Sequence, residues 1–274
     1  MIVVQLSDLH VRPKGRPCNR VIETNALTER AFRAVSRLPF APDAVLLTGD
    51  LADCGLPEEY AELKSLIDRY LPAGKTHAIP GNHDRRDNLI AALGAPLAPT
   101  GFVDYIVELA DIRVVMLDSV APGSAHGELR HEQLDWLDAS LNAARKTPTM
   151  IALHHPPFLT GIGHMDAIAL KVPEGLAAVV GRHPQVQRVV CGHLHRQITA
   201  RLAQATATSA PSVGVAVALD LQPGGPSAFV KEPPAFSVHR WTGPSGFVTH
   251  NVFVDDYDGP YPFIMEPEYP GSQN

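Results

Sequence analysis

Along the first two thirds of the chain, short apolar, β-branched runs alternate with stretches whose apolar residues recur every three or four positions. The runs at 2–6, 44–48, 75–79, 113–117, 149–153 and 187–191 predict strands. Between them, 25-NALTERAFRAVSRL-38 places Leu27, Ala31, Ala34, Val35 and Leu38 on one helical stripe. The segment 57-PEEYAELKSLIDRY-70 opens with Pro57 and two acids, which suit the first turn of a helix. A third helix is predicted over 131–144, carrying Leu134, Trp136, Leu137 and Leu141. Strands alternating with helices in this way build βαβ units and a covered sheet.

The pattern changes after His195. Residues 198–203, 213–219, 235–241 and 247–254 read as strands joined by turns, with no strong helical period. A mostly parallel first part followed by consecutive strands predicts an α/β fold of two sheets packed face to face, with helices outside. The Gly- and Pro-rich stretch 222–234 reads as a loop. Residues 255–274 hold four prolines and four aromatics, so they are expected to form a tail to a domain spanning 1–254. Its Tyr257, Tyr261, Phe263, Ile264, Met265 and Tyr269 are expected to be buried against something, with another subunit as the first choice.

Composition narrows the function. With 274 residues and 45% hydrophobic residues, the chain can bury a sizeable core. A net charge of −6 argues against a binder of nucleic acid or anionic membrane, which would need a basic face. Cys18, Cys54 and Cys191 are odd in number and lack CxxC spacing, as expected for reduced thiols in a cytoplasmic protein. No apolar run reaches the length of a membrane span, and the amino terminus lacks the pattern of a signal peptide.

The chemistry lies where the apolar runs end. IVVQLS leads to Asp8-Leu9-His10 and AVLLTG to Asp50. HAIPG leads to Asn82-His83-Asp84, TMIAL to His154-His155, and RVVCG to His193-Leu194-His195. The carboxyl edge of an open α/β sheet is where sites form. The two-residue spacing of Asp8/His10 and of His193/His195 predicts that each pair points the same way off an extended backbone. Gly49, Gly81 and Gly192 allow sharp turns beside these positions. Each motif alone is common enough to be a cap or a surface polar group; it is the ordered set of five that points to a metal site.

This set resembles the calcineurin-like metallophosphoesterase superfamily, whose pattern DxH…GD…GNHD…H…GHxH is matched in full between Asp8 and His195. It is most similar to the class III cyclic nucleotide phosphodiesterases and the related glycerophosphodiesterases, through LTGDLADCGLPEEY, LDSVAPGSAHGEL and LHHPPF. The resemblance implies a four-layer αββα sandwich of two mixed sheets. It implies one metal on Asp8, His10, Asp50 and His195, and a second on Asp50, Asn82, His154 and His193. Imidazole with carboxylate and amide oxygens suits Fe, Mn, Co or Zn.

Asp50, Asn82 and His83 are the catalytic candidates of this resemblance, serving attack on the phosphorus by a hydroxide held on the metals. Asn82 and His83 are expected to reach the phosphate, with His83 as electrostatic stabiliser or proton donor; orienting a ligand is its alternative role. Asp84 is expected to hold a ligand histidine. His155 is open between substrate contact and packing, and His164, in an expected rim loop, is a candidate substrate contact. His77, His126, His131 and His183 read as structural or exposed, and Cys54 as packed beneath its loop. The implied substrate is a small phosphodiester. Cyclic 3′,5′-nucleotides come first and glycerophosphodiesters second, because 211–217 has no histidine where some glycerophosphodiesterase relatives carry one. Arg85 and Arg86 are the one basic pair beside a motif, which disfavours phosphomonoesters. Relatives of this kind imply a homo-oligomer. The rival of another class is a non-catalytic metal-binding interaction module, which would tend to lose ligands.

Overall fold

The computed structural model describes residues 1–263. In chain order the elements are β1 (Ile2–Leu6), α1 (Thr24–Ser36), β2 (Ala44–Thr48), α2 (Pro57–Tyr70), β3 (Thr76–Ile79), α3 (Arg86–Leu93), β4 (Tyr105–Glu108) and β5 (Arg113–Met116). They continue as α4 (His131–Asn142), β6 (Thr149–Ala152), α5 (Gly163–Asp166), α6 (Pro173–Arg182), β7 (Val186–Cys191), β8 (Thr199–Leu202) and β9 (Ala205–Ser209). The chain closes with β10 (Ala216–Val217), β11 (Phe229–Val230), β12 (Ala235–Trp241) and β13 (Phe247–Phe253).

Two mixed sheets result. One runs β13-β12-β1-β2-β3 and the other β4-β5-β6-β7-β9-β8. Within them β1, β2 and β3 are mutually parallel, as are β5, β6, β7 and β9. The period-two alternation of each strand assigns its two faces. Val4, Leu6, Val45 and Leu47 face Phe32 of α1 and Tyr60 and Leu63 of α2. Val115, Ile151 and Val189 face Leu137 of α4 and Val180 of α6. Between the sheets, Val3, Leu46 and Ile79 pack against Val114, Met116, Met150 and Val190. The expected αββα sandwich is present.

Local differences have local causes. The predicted strand 213–219 shrinks to Ala216–Val217, because Ser212 Oγ donates to the Asp8 carbonyl at 2.9 Å and Gly214 N donates to Ser212 Oγ at 2.8 Å. Those contacts pull the segment out of the sheet and over the motif loops. The predicted loop 222–234 contains β11, which pairs with β10. Two short strands, β4 and β9, and helices α3 and α6 arise where no element was predicted. Val254 is buried, whereas 255–263 form no regular element and Tyr257, Tyr261 and Phe263 are exposed. Ile264, Met265 and Tyr269 lie outside the described residues. Among the described residues, no helix is long and apolar enough to cross a membrane.

Candidate metal centre

The parallel strands β1, β2 and β3 of one sheet and β6 and β7 of the other end on a common rim. The loops leaving them carry Asp8 and His10, Asp50, Asn82 and His83, His154, and His193 and His195. All the predicted ligands therefore meet. The backbone achieves this by a route the sequence did not suggest. Asp8, His10, Asp50, His193 and His195 have φ of 57°, 47°, 50°, 68° and 51°. The paired residues are thus in the left-handed region and not on extended chain. Non-glycine residues there are strained and tend to cluster at functional sites. Gly81 allows the close approach of two loops, since a Cβ there would land on the amide and carboxylate of Asp50.

Donor atoms converge at short range. His10 Nε2 lies 3.3 Å from His195 Nε2, and His195 Nε2 lies 3.4 Å from Asp8 Oδ1. His154 Nε2 lies 3.2 Å from Asn82 Oδ1 and 3.3 Å from His193 Nδ1. Asp50 Oδ2 stands between the two groups, 3.7 Å from His10 Nε2 and 3.4 Å from His154 Nε2. Its Oδ1 accepts from the His83 amide at 2.9 Å.

Tautomers decide what these contacts mean. His154 Nδ1 donates to the Thr48 carbonyl at 2.9 Å, and His195 Nδ1 donates to the Val215 carbonyl at 2.9 Å. His10 Nδ1 donates to Asp53 Oδ1 at 3.2 Å. A carbonyl can only accept, so in the neutral rings of His154 and His195 Nε2 carries a lone pair and no proton; Asp53 does the same for His10. Among the described residues, His193 Nε2 is buried without a hydrogen-bond partner, while its Nδ1 turns inward toward His154. Imidazole lone pairs, carboxylates and an amide oxygen thus face one another as acceptors with no donor between them. Acceptors crowded this way repel unless a cation sits among them, so the residues fit a metal centre.

The electrostatics agree. Burial opposes protonation of His154, yet the Asp50 carboxylate and then Asp8 carry its pKa up to about 9. Burial pushes Asp50 up, but His154 first and then His83 and His10 hold it well below the usual carboxylate range. Burial, aided by His154, takes His193 down to about 3. A negative centre thus draws a proton onto one ring when no other cation is at hand.

Other predicted roles change. Asp84 holds no histidine. Its carboxylate accepts from the amides of Leu51 at 3.1 Å, Ala52 at 3.0 Å and Gly81 at 2.8 Å, and from Tyr60 Oη at 2.8 Å. It ties the Asp50 loop to the Asn82 loop. Orientation of His10 falls instead to Asp53, three residues beyond Asp50, a position that no motif marks. His155 has both ring nitrogens engaged within the protein, as a packing role requires: Nε2 donates to the Ala125 carbonyl at 3.2 Å and Nδ1 accepts from Ser119 Oγ at 2.8 Å. His164 lies on α5, a short helix in place of the expected loop, and lines the cavity over the donors. His83 is 43% exposed at the rim, with Nδ1 donating to the Asp53 carbonyl at 2.7 Å. Cys54 is exposed and meets Arg12 Nη1 at 2.8 Å, and so does not pack beneath the loop.

A family model described as calcineurin-like phosphoesterase matches residues 1–197. The chain belongs to the calcineurin-like phosphoesterase family. Within this family, it is 35% identical to an Arcobacter nitrofigilis protein named "Probable glycerophosphodiester phosphodiesterase GpdQ", over 97% of this chain and 98% of that one. It is 33% identical to a Rhodococcus erythropolis protein named "Probable cyclic nucleotide phosphodiesterase", over 81% of this chain and 74% of that one. Among solved structures, a dimetal phosphatase from Danio rerio superposes with a TM-score of 0.62 at 15% identity, covering 93% of this chain and 99% of that one. That likeness concerns the fold.

Proposed function

We propose that this chain hydrolyses small phosphodiesters at a pair of divalent transition-metal ions (Fe, Mn, Co or Zn). Asp8, His10, Asp50 and His195 would hold one, and Asp50, Asn82, His154 and His193 the other, with Asp50 shared. The carrying observation is the ring of acceptor atoms whose tautomers are fixed from outside by Thr48, Asp53 and Val215. Bound ions supply the positive charge that matches a phosphodiester monoanion and activate water near neutral pH.

The chain's own residues do the rest. Asn82 and His83 stand at the rim and orient the phosphate. Because His83 Nδ1 is engaged by the Asp53 carbonyl, its Nε2 is the atom that meets substrate. To protonate a leaving oxygen, the ring acts in its charged form, with the Asp53 carboxylate 3.9 Å from Nδ1. Positioned proton donors of this kind contribute about 10²–10⁴-fold. Without that proton transfer, the same ring stabilises charge on the phosphate.

Cyclic 3′,5′-nucleotides and glycerophosphodiesters are the two substrate classes in view. The names of relatives spanning 71–81% of the chain support the first. Relatives named for the second span 95–97%, including the strands after β9, which favours glycerophosphodiesters as a second reading. A cytoplasmic homo-oligomer, with residues 255–274 as the oligomerisation arm, completes the proposal. A purely non-catalytic module is disfavoured by the intact donor set.

Initial rates of metal-loaded protein on cyclic AMP, a glycerophosphodiester, bis(p-nitrophenyl) phosphate and p-nitrophenyl phosphate test this. Diesters are expected to exceed the monoester in kcat/KM. A monoester rate equal to or above its diester would refute the substrate class. Bound metal without any turnover would establish the non-catalytic module.

A further inference from the structure

His83 stands on a ridge between two cavities, both of which also touch Asp53 and Asn82. The first, of about 260 Å³, lies over the donor atoms and is walled by Ile22, Met165, Ile168, Val215, Val217 and Phe229. Among the described residues, no lysine or arginine lines it. The second, of about 460 Å³, lies on the far side of His83, between Arg85, Arg86 and the loop 120–125. His155 fixes that loop through Ser119 and Ala125.

Among the described residues, the charges around the second cavity are all committed except one. Asp53 is engaged by His10 at 3.2 Å and Arg12 at 3.2 Å. Asp84 is occupied by three amides and Tyr60. Arg86 Nε donates to Asp118 Oδ2 at 2.6 Å and Nη2 donates to the Val120 carbonyl at 3.3 Å. Arg85 is exposed, and among the described residues its guanidinium has neither an ion pair nor a hydrogen-bond partner.

We infer that the second cavity is a subsite for an anionic group on the second ester arm of an open-chain phosphodiester, with Arg85 as the cation that receives it. The inference rests on the phosphodiesterase reading and sharpens its substrate. A phosphate seated at Asn82 and His83 sits where both cavities begin, so the two substituents of an open-chain diester diverge to opposite sides of the ridge. An apolar or aromatic arm fits the first cavity. A carboxylate or phosphate at the end of the other matches the planar fork of a guanidinium. A cyclic nucleotide carries both ester oxygens on one ribose, so it fills the first cavity and gains nothing from Arg85.

The test uses the metal-loaded full chain and three p-nitrophenyl diesters whose second arm is 2-carboxyethyl, 2-hydroxyethyl or 2-(trimethylammonio)ethyl, read by p-nitrophenolate release. The carboxylate arm should exceed the trimethylammonio arm in kcat/KM by about 2–5-fold, the scale of one exposed ion pair. Positive charge at the metals also favours an anionic arm, so the variants carry the decision. Arg85→Gln should bring the ratio close to that of the metals alone, and Arg85→Glu should lower it further. Equal rates in the natural protein, or a preference unchanged in Arg85→Glu, would overturn the subsite while leaving the phosphodiesterase reading intact. No turnover of any of the three would overturn both.

Discussion

Tyr60→Phe tests the view that Asp84 clamps two motif loops together. The Tyr60 side chain is fully buried, and its hydroxyl donates to Asp84 Oδ1 at 2.8 Å while accepting from the Arg85 amide at 2.9 Å. The substitution removes one oxygen and leaves the ring packed against Leu63 and Leu89, so no cavity confuses the result. A hydrogen bond to a charged acceptor is worth about 1.5–3 kcal/mol, and the lost acceptor for the Arg85 amide adds about 0.5–1.5 kcal/mol. The expected cost is about 2–4.5 kcal/mol, a large share of the ~5–15 kcal/mol that stabilises a typical domain. In urea, with a slope of about 3 kcal/mol per molar, the midpoint should fall by about 1 M. The slope itself should not change. A fall of less than about 0.2 M would mean that the hydroxyl does not support the clamp, and the account of Asp84 would be wrong.

The remaining expectations concern the site, the tail and one buried acid. Asp50→Ala should lose both metals by elemental analysis and abolish turnover with an unchanged circular dichroism spectrum; a folded, active variant would refute the shared ligand. His83→Ala should keep its metals but lose about 10²–10⁴-fold in kcat if the ring donates a proton, with a smaller loss for p-nitrophenolate than for an alkoxide leaving group. Equal losses for both would leave the ring an electrostatic or positioning role. Burial raises Asp104 to about 6, above its unfolded value of about 3.9, so its protonated form favours the fold. That contribution is complete below about pH 4 and lost as pH rises through about 6, so the stability of the natural protein relative to Asp104→Asn, measured by denaturation at each pH, should fall across this window; a constant difference would refute the shift. Truncation after Val254 should lower the mass measured by light scattering; an unchanged oligomer, or a monomeric full chain, would refute the arm.

Much of this was legible in the sequence because burial writes itself into apolar runs. The strand predicted at 235–241 and the helix at 57–70 agree with β12 and α2 to the residue. The residues whose donor atoms converge were legible because each follows such a run closely. Elements with weak patterns were not. The strand ATATS of β9 alternates alanine and threonine, and α3 has eight residues and only one that is buried. Roles that depend on spatial neighbours were also hidden. Nothing in the string tells that the amides of Leu51, Ala52 and Gly81 all point at Asp84. Nothing tells that Val215 leaves its predicted strand to receive His195.

The donor set is divided between the sheets. Asp8, His10, Asp50 and Asn82 follow strands of one, and His154, His193 and His195 follow strands of the other. Any sliding of one sheet over the other changes the distances among these atoms directly. The apolar layer of Val3, Leu46, Met150 and Val190 therefore acts as a gauge block, setting the width of the site from within the core. A change such as Met150→Ala, remote from every ligand, should loosen ion affinity as well as the fold. Conversely, an ion gripped by both halves resists shear between the sheets, the one mode of deformation that non-directional apolar packing opposes least.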